Sequence, residues 1–141
     1  MTATTVDLKR KYEAGREPVF NDLPVKASTT IYQGTAVGLD SGYARPIADG
    51  DTFAGFANAQ ADNSAGANAA IDVKVRSQGL VEVDVTGVTG VSDVDDDVYA
   101  ADDQTFSITD SGTDVLIGTI HRHVSGTKCI LAFNAASLRS I

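Results

Sequence analysis

The chain has one cysteine, no tryptophan and three prolines among its 141 residues. A single cysteine, Cys129, excludes an intramolecular disulfide, so nothing covalent staples the fold. No apolar run reaches the roughly 18 residues of a membrane-spanning helix, and no membrane partner is expected. The opening residues Met1-Thr2-Ala3-Thr4-Thr5 lack the apolar stretch of a secretory leader, which predicts synthesis in a cytosol. Aromatic residues make up only 6% of the chain, too few for a stacking platform that would bind sugars or single-stranded nucleic acid. Bases are outnumbered, 11 against 19 acids, giving a net charge of −8. An acidic body repels phosphate backbones, so nucleic acid is not an expected partner.

What the chain does have is valine, threonine, isoleucine and alanine, with 13 glycines between the patterned stretches. β-Branched side chains suit a pleated, half-buried surface. The length is that of one domain and is enough to bury a core without metal or disulfide support. The expected fold class is all-β: a small sandwich or barrel-like domain of nine or ten short antiparallel strands with an extended N-terminal arm. The charge is uneven. Residues 1–26 carry five bases (Lys9, Arg10, Lys11, Arg16, Lys26) and four acids (Asp7, Glu13, Glu17, Asp22), which leaves −9 for the remainder. That acidity keeps a domain soluble, or complements a basic partner.

Residues 1–23 differ from the rest. They are charged, lack period-2 alternation, and are bounded by Pro18 and Pro24. A weak helix is expected from about Val6 to Ala14, stopped by Gly15 and Pro18. A solvated tail has no use for Val6, Leu8, Tyr12, Val19 and Phe20. The segment is therefore read as an arm whose apolar residues contact a partner, with residues 24–141 as the β-domain. Within that domain strands are expected over 25–32, 35–40, 43–47, 52–61, 70–76, 80–85, 98–101, 105–109, 115–124 and 128–133, with turns at Gly34, Ser41-Gly42, Gly50 and Ser125-Gly126. Phe53 and Phe56 are three apart, so a bulge near Gly55 is predicted. Residues 62–68 are expected as a loop, and 135–140 as a helical turn capped by Asn134.

Four kinds of chemistry are conceivable from these residues. Asp93, Asp95 and Asp97 sit at i, i+2 and i+4, as in a calcium loop. Val98 then stands where that loop needs glycine and Gln104 where it needs glutamate, so the commoner solvated acidic turn is preferred, with Asp102 and Asp103 beyond it. His121 and His123 share a strand face, with Cys129 on the neighbouring strand, but no zinc spacing or fourth ligand accompanies them. No GxSxG motif accompanies any serine, and only a Cys129–histidine pair remains formally available. No phosphate-cradling glycine run occurs. The expectation is a protein without enzymatic activity, cofactor or metal.

The run from Tyr32 to Phe56, with Ile31 before it (IYQGTAVGLDSGYARPIADGDTFAGF), resembles small tailed-bacteriophage capsid decoration, or cement, proteins. Their pattern is a glycine turn, a V-x-L-D strand, a polar-tipped hairpin, a strand ending near proline, then F-x-G-F/V. VKVRSQGLVEVDV resembles the family's paired strands around one glycine. DVYAADDQTFSIT and IGTIHRHVSGTKCILAF resemble its later hairpins. The resemblance covers about residues 25–134 and rests on the order of the four pieces. It implies a virion protein on the outer capsid surface, made in the bacterial host cytoplasm. Such a protein binds the major capsid protein of an expanded head and clamps capsomers together. It also implies self-association, as a homotrimer or alternatively a dimer. The arm has no family motif, so its contacts are assigned from its own residues. Two rivals stand beside this reading: a virion-surface β-domain that binds a receptor or glycan, and a small hydrolase or metal enzyme needing His121, His123 and Cys129 to converge.

Overall fold

From Asp72 to Thr86 valines alternate with polar residues, and the computed structural model, which describes residues 3–135, makes this stretch one continuous 15-residue strand. It is β8 of twelve. The others are β1 (Tyr12–Glu13), β2 (Val19–Pro24), β3 (Thr29–Ile31), β4 (Ala36–Asp40), β5 (Tyr43–Pro46), β6 (Thr52–Ala57), β7 (Ala61–Asn63), β9 (Asp97–Ala100), β10 (Phe106–Ser107), β11 (Val115–Ser125) and β12 (Lys128–Asn134). Among the described residues there is no α-helix, only a 3-10 turn at Val91–Asp93. The chain is all-β, as its composition predicts.

The sequence pattern predicts two strands, 70–76 and 80–85, where β8 runs unbroken. Gly79 does not turn the chain. It stays in the ladder opposite Phe133, whose ring lies 3.4 Å from where a β-carbon would project. An aromatic ring covering a strand glycine keeps the wall closed without a side chain there. The odd-numbered residues of β8 point inward along its whole length. Val81, Val83 and Val85 enter one apolar cluster and Val73 and Val75 a second.

The first cluster fills a closed barrel. Strands β8, β12, β11, β9 and β10 pair in that order, and β10 returns to β8 through Phe106 opposite Val85. That last pairing is parallel, whereas the others around the ring are antiparallel. Closure leaves these five strands paired around the ring, while β2, which branches off β8, keeps an outer edge. The second cluster lies beneath β3–β7 and the β4–β5 hairpin, and holds Val25, Ile31, Val37, Ala44 and Ala61.

The predicted bulge occurs in β6. Val37 faces Gly55 and Gly38 faces Phe53, which leaves Ala54 as the extra residue. Without it Phe53 and Phe56 would face opposite ways. With it both are buried, edge to face at 5.9 Å, and Phe56 packs 4.7 Å from Phe133. Gly55 is required because a β-carbon there would stand 2.3 Å from the Arg76 carbonyl oxygen. The strand expected over 52–61 accordingly ends at Ala57, and β7 takes residues from the start of the expected loop.

The N-terminal segment is extended, and the helix expected from Val6 to Ala14 is absent. β1 and β2 follow β8 antiparallel, from Tyr12 opposite Val81 to Pro24 opposite Asp72. The backbone of this segment finds its partners outside itself. Leu8 donates its N–H to the Gln33 carbonyl at 2.7 Å, and Lys11 accepts from the Glu82 N–H. These bonds replace the i to i−4 ladder a helix would have needed. The expected turn over 135–140 lies outside the described residues except for Ala135, whose N–H bonds the Ser77 carbonyl at 2.7 Å.

Candidate protein-binding edge

Pro18 and Pro24 bracket a stretch rich in strand formers, Val19-Phe20-Asn21-Asp22-Leu23, and it pairs with the N-terminal half of β8. Among the described residues β8 is the only strand that β2 pairs with, so its outer side presents unpaired main-chain groups. Val19 to Asp22 are all exposed. Phe20 is 43% exposed, whereas the other four phenylalanines of the chain are buried. Cross-strand register sets its neighbours. Phe20 faces Arg76 and Asp22 faces Lys74. The Lys74 ammonium and the Arg76 guanidinium each lie 5.1 Å from the Phe20 ring centre. An exposed apolar side chain ringed by cations, on a free strand edge, can take up an extended segment through main-chain hydrogen bonds and side-chain contacts together.

The five apolar residues of the expected arm divide. Val6, Val19 and Phe20 are exposed. Leu8 and Tyr12 are partly buried in the chain's own fold. The Tyr12 ring packs 6.4 Å from Phe133 and carries Arg76 stacked at 3.8 Å. Burial pushes the Tyr12 hydroxyl above its ordinary value, with Arg76 and Arg10 acting the other way. Leu8 and Tyr12 thus hold the segment to the barrel, and Val6, Val19 and Phe20 stay at its surface.

The acidic residues take structural positions. Asp93 accepts the N–H groups of Thr89 and Gly90, at 2.8 and 3.2 Å, and these bonds lower its pKa. Asp102 accepts the N–H groups of Gln104 and Thr105 and closes a turn. Asp103 is fully buried. One oxygen accepts the Thr4 N–H at 3.0 Å, the other has no partner among the described residues, and burial raises its pKa to about 6. His123 stands opposite Cys129, with Nε2 3.0 Å from the Gly126 carbonyl. His121 falls at a register shift and is exposed, while Cys129 is sealed in the core. Among the described residues no group of three His, Cys, Asp or Glu side chains is placed to hold a metal.

Two concavities stand out among the described residues. A shallow cleft of about 610 Å³ lies between Asp49–Asp51 and Gly112–Leu116, and Asp51 in its wall is held by Arg45. A smaller pocket of about 90 Å³ lies beneath the N-terminal segment. Sequence reasoning found Val19 and Phe20 but missed Lys74 and Arg76. Their alternation with valine marked them only as a wet face; the register of β2 is what turns them into the rim around Phe20. No protein-family model matches the chain, and a search of curated proteins finds none similar to it.

Proposed function

We propose that this chain is a non-enzymatic structural protein that binds the outer surface of an expanded bacteriophage capsid and stabilises contacts between capsomers. The observation that carries the reading is the free edge of β2, with Val19 and Phe20 exposed between Lys74 and Arg76. It is supported by the resemblance of residues 25–134 to decoration proteins. The partner is the major capsid protein, which would supply an extended segment alongside β2. Each such contact is small. Repetition over a lattice, or through a homotrimer, raises the effective affinity without any new contact.

Co-sedimentation with expanded empty heads tests this, with unexpanded heads as control. The wild-type chain should pellet with expanded heads, and Phe20→Ser should lose at least tenfold in affinity while keeping its melting temperature within a few degrees. Phe20→Ser binding at wild-type affinity would remove β2 from the contact. No binding of the wild type to expanded heads would overturn the capsid reading itself. Deleting residues 1–20 is a poorer test, because it also strips β1 and the start of β2 from the barrel.

A further inference from the structure

The pocket of about 90 Å³ lies where the N-terminal segment crosses the body of the domain. Lys9, Arg10 and Tyr12 line it from the segment, and Gln33, Gly34 and Asn58 from the body. Every side-chain polar group in that lining is a hydrogen-bond donor or carries one, and no carboxylate is among them.

Two of these residues have unsatisfied polar atoms. Arg10 donates Nε–H to the Gly34 carbonyl at 2.8 Å, and its guanidinium lies over the Phe56 and Phe106 rings at 5.9 and 5.7 Å. Its Nη2 is buried without a partner among the described residues, and so is the Tyr12 hydroxyl. Among the described residues Arg10 makes no ion pair. Asp103 and Asp84 act on it only through the longer-range field. A desolvated guanidinium with a spare donor is costly unless a counter-charge meets it.

We infer that this pocket binds a small monovalent anion, of chloride to formate size, between Arg10 and Tyr12, and that the anion fastens the N-terminal segment to the barrel. The pocket has room for a few water-sized spheres, which suits an ion of that size. Charge-assisted bonds from a guanidinium and a phenol to one anion are the strong kind. Because the lining comes from both the segment and the body, an ion bound there is lost when the segment lifts. Binding therefore stabilises the closed arrangement by mass action.

Crystals of the full chain grown in sodium bromide, with data collected at the bromine absorption edge, test this directly. An anomalous peak inside the pocket is the expected result. In parallel, the melting temperature is followed as bromide replaces gluconate at constant ionic strength. It should rise and saturate for the wild type. Tyr12→Phe keeps the ring and loses only the hydroxyl, so its apparent bromide affinity should fall about tenfold; Arg10→Gln should abolish the response. Water alone in the pocket, an adventitious ion only on the outer surface, or an unchanged bromide response in Tyr12→Phe would each overturn the inference. The crystallographic arm uses the wild type, so the test survives a failure of Arg10→Gln to fold.

Discussion

The carbonyl oxygen of Leu8 occupies the space in front of Gly34: a β-carbon on Gly34 would lie 1.9 Å from it. Gly34 also has φ of +82°, a conformation that side-chain-bearing residues rarely adopt. Its carbonyl accepts from Arg10, and its N–H donates to the Ala57 carbonyl at 2.9 Å. One glycine thus sets how closely the N-terminal segment lies on the barrel. Gly34→Ala is expected to cost about 2–3 kcal/mol in urea unfolding and to speed tryptic cleavage at Lys9 and Arg10. Unchanged cleavage kinetics would mean that the segment does not need this approach.

Asp103 gives the chain an acid-favoured component of stability. Its folded-state pKa of about 6 lies above the ordinary 3.8, because burial disfavours the charged form. The folded state then holds the proton more tightly than the unfolded chain. The contribution is complete below the unfolded value of 3.8 and is lost as pH rises through about 6. Asp40, Asp62 and Asp93, lowered by hydrogen bonds, act in the opposite sense below the ordinary carboxylate range. The unfolding midpoint in urea should therefore be higher at pH 5 than at pH 8. Asp103→Asn keeps an acceptor for the Thr4 N–H, should flatten this slope, and should stabilise the protein at pH 8 by on the order of 2 kcal/mol. A wild-type profile that rises from pH 5 to pH 8 would contradict it.

Arg45 and Asp51 form a two-point contact on the hairpin side of the sheet. Nε and Nη2 donate to the two carboxylate oxygens at 2.9 and 2.6 Å, and the Ala48 N–H adds a third bond at 3.0 Å. The Asp51 side chain is only 4% exposed. Asp51→Ala leaves the Ala48 amide without its acceptor and Arg45 with only its 3.6 Å contact to Asp40, and should cost about 1–3 kcal/mol by chemical denaturation. Asp51→Asn retains one acceptor and should cost less. Equal losses in the two would show that packing against Gly38, rather than charge, is what Asp51 supplies.

Cys129 should behave as a core residue and not as a reagent. It is fully buried, and burial pushes its thiol up to about 11. Thiolate is the reactive form, so a disulfide reagent should modify the native chain at least a hundredfold more slowly than the urea-unfolded chain. Rapid native labelling would place the thiol at the surface.

Strand content was legible where alternation is strict. Val73, Val75, Val81, Val83 and Val85 announce their face, and the bulge at Gly55 follows from Phe53 and Phe56 being three apart. Gly79 misled, because a glycine between two alternating runs looks like a turn; what keeps it in the strand is Phe133, 54 residues later, which local sequence cannot reveal. The N-terminal segment was hard for the same reason. Its polar composition hides the strand because Leu8, Arg10 and Tyr12 answer to Gln33, Gly34 and Phe133, far away in the chain. Of the candidate edge, Val19 and Phe20 were visible as apolar residues out of place. Lys74 and Arg76 became part of it only through pairing register.

β8 is a wall common to both apolar clusters, and this ties their fates together. Losing the order of the smaller cluster means releasing the Val73–Val75 half of a strand whose other half closes the barrel. Unfolding should then be a single cooperative event, with no state in which one cluster survives the other. In native-state hydrogen exchange the amides of Val75, Val81 and Val83 should share one free energy of opening, equal to that of the whole molecule, however far apart along the strand they lie.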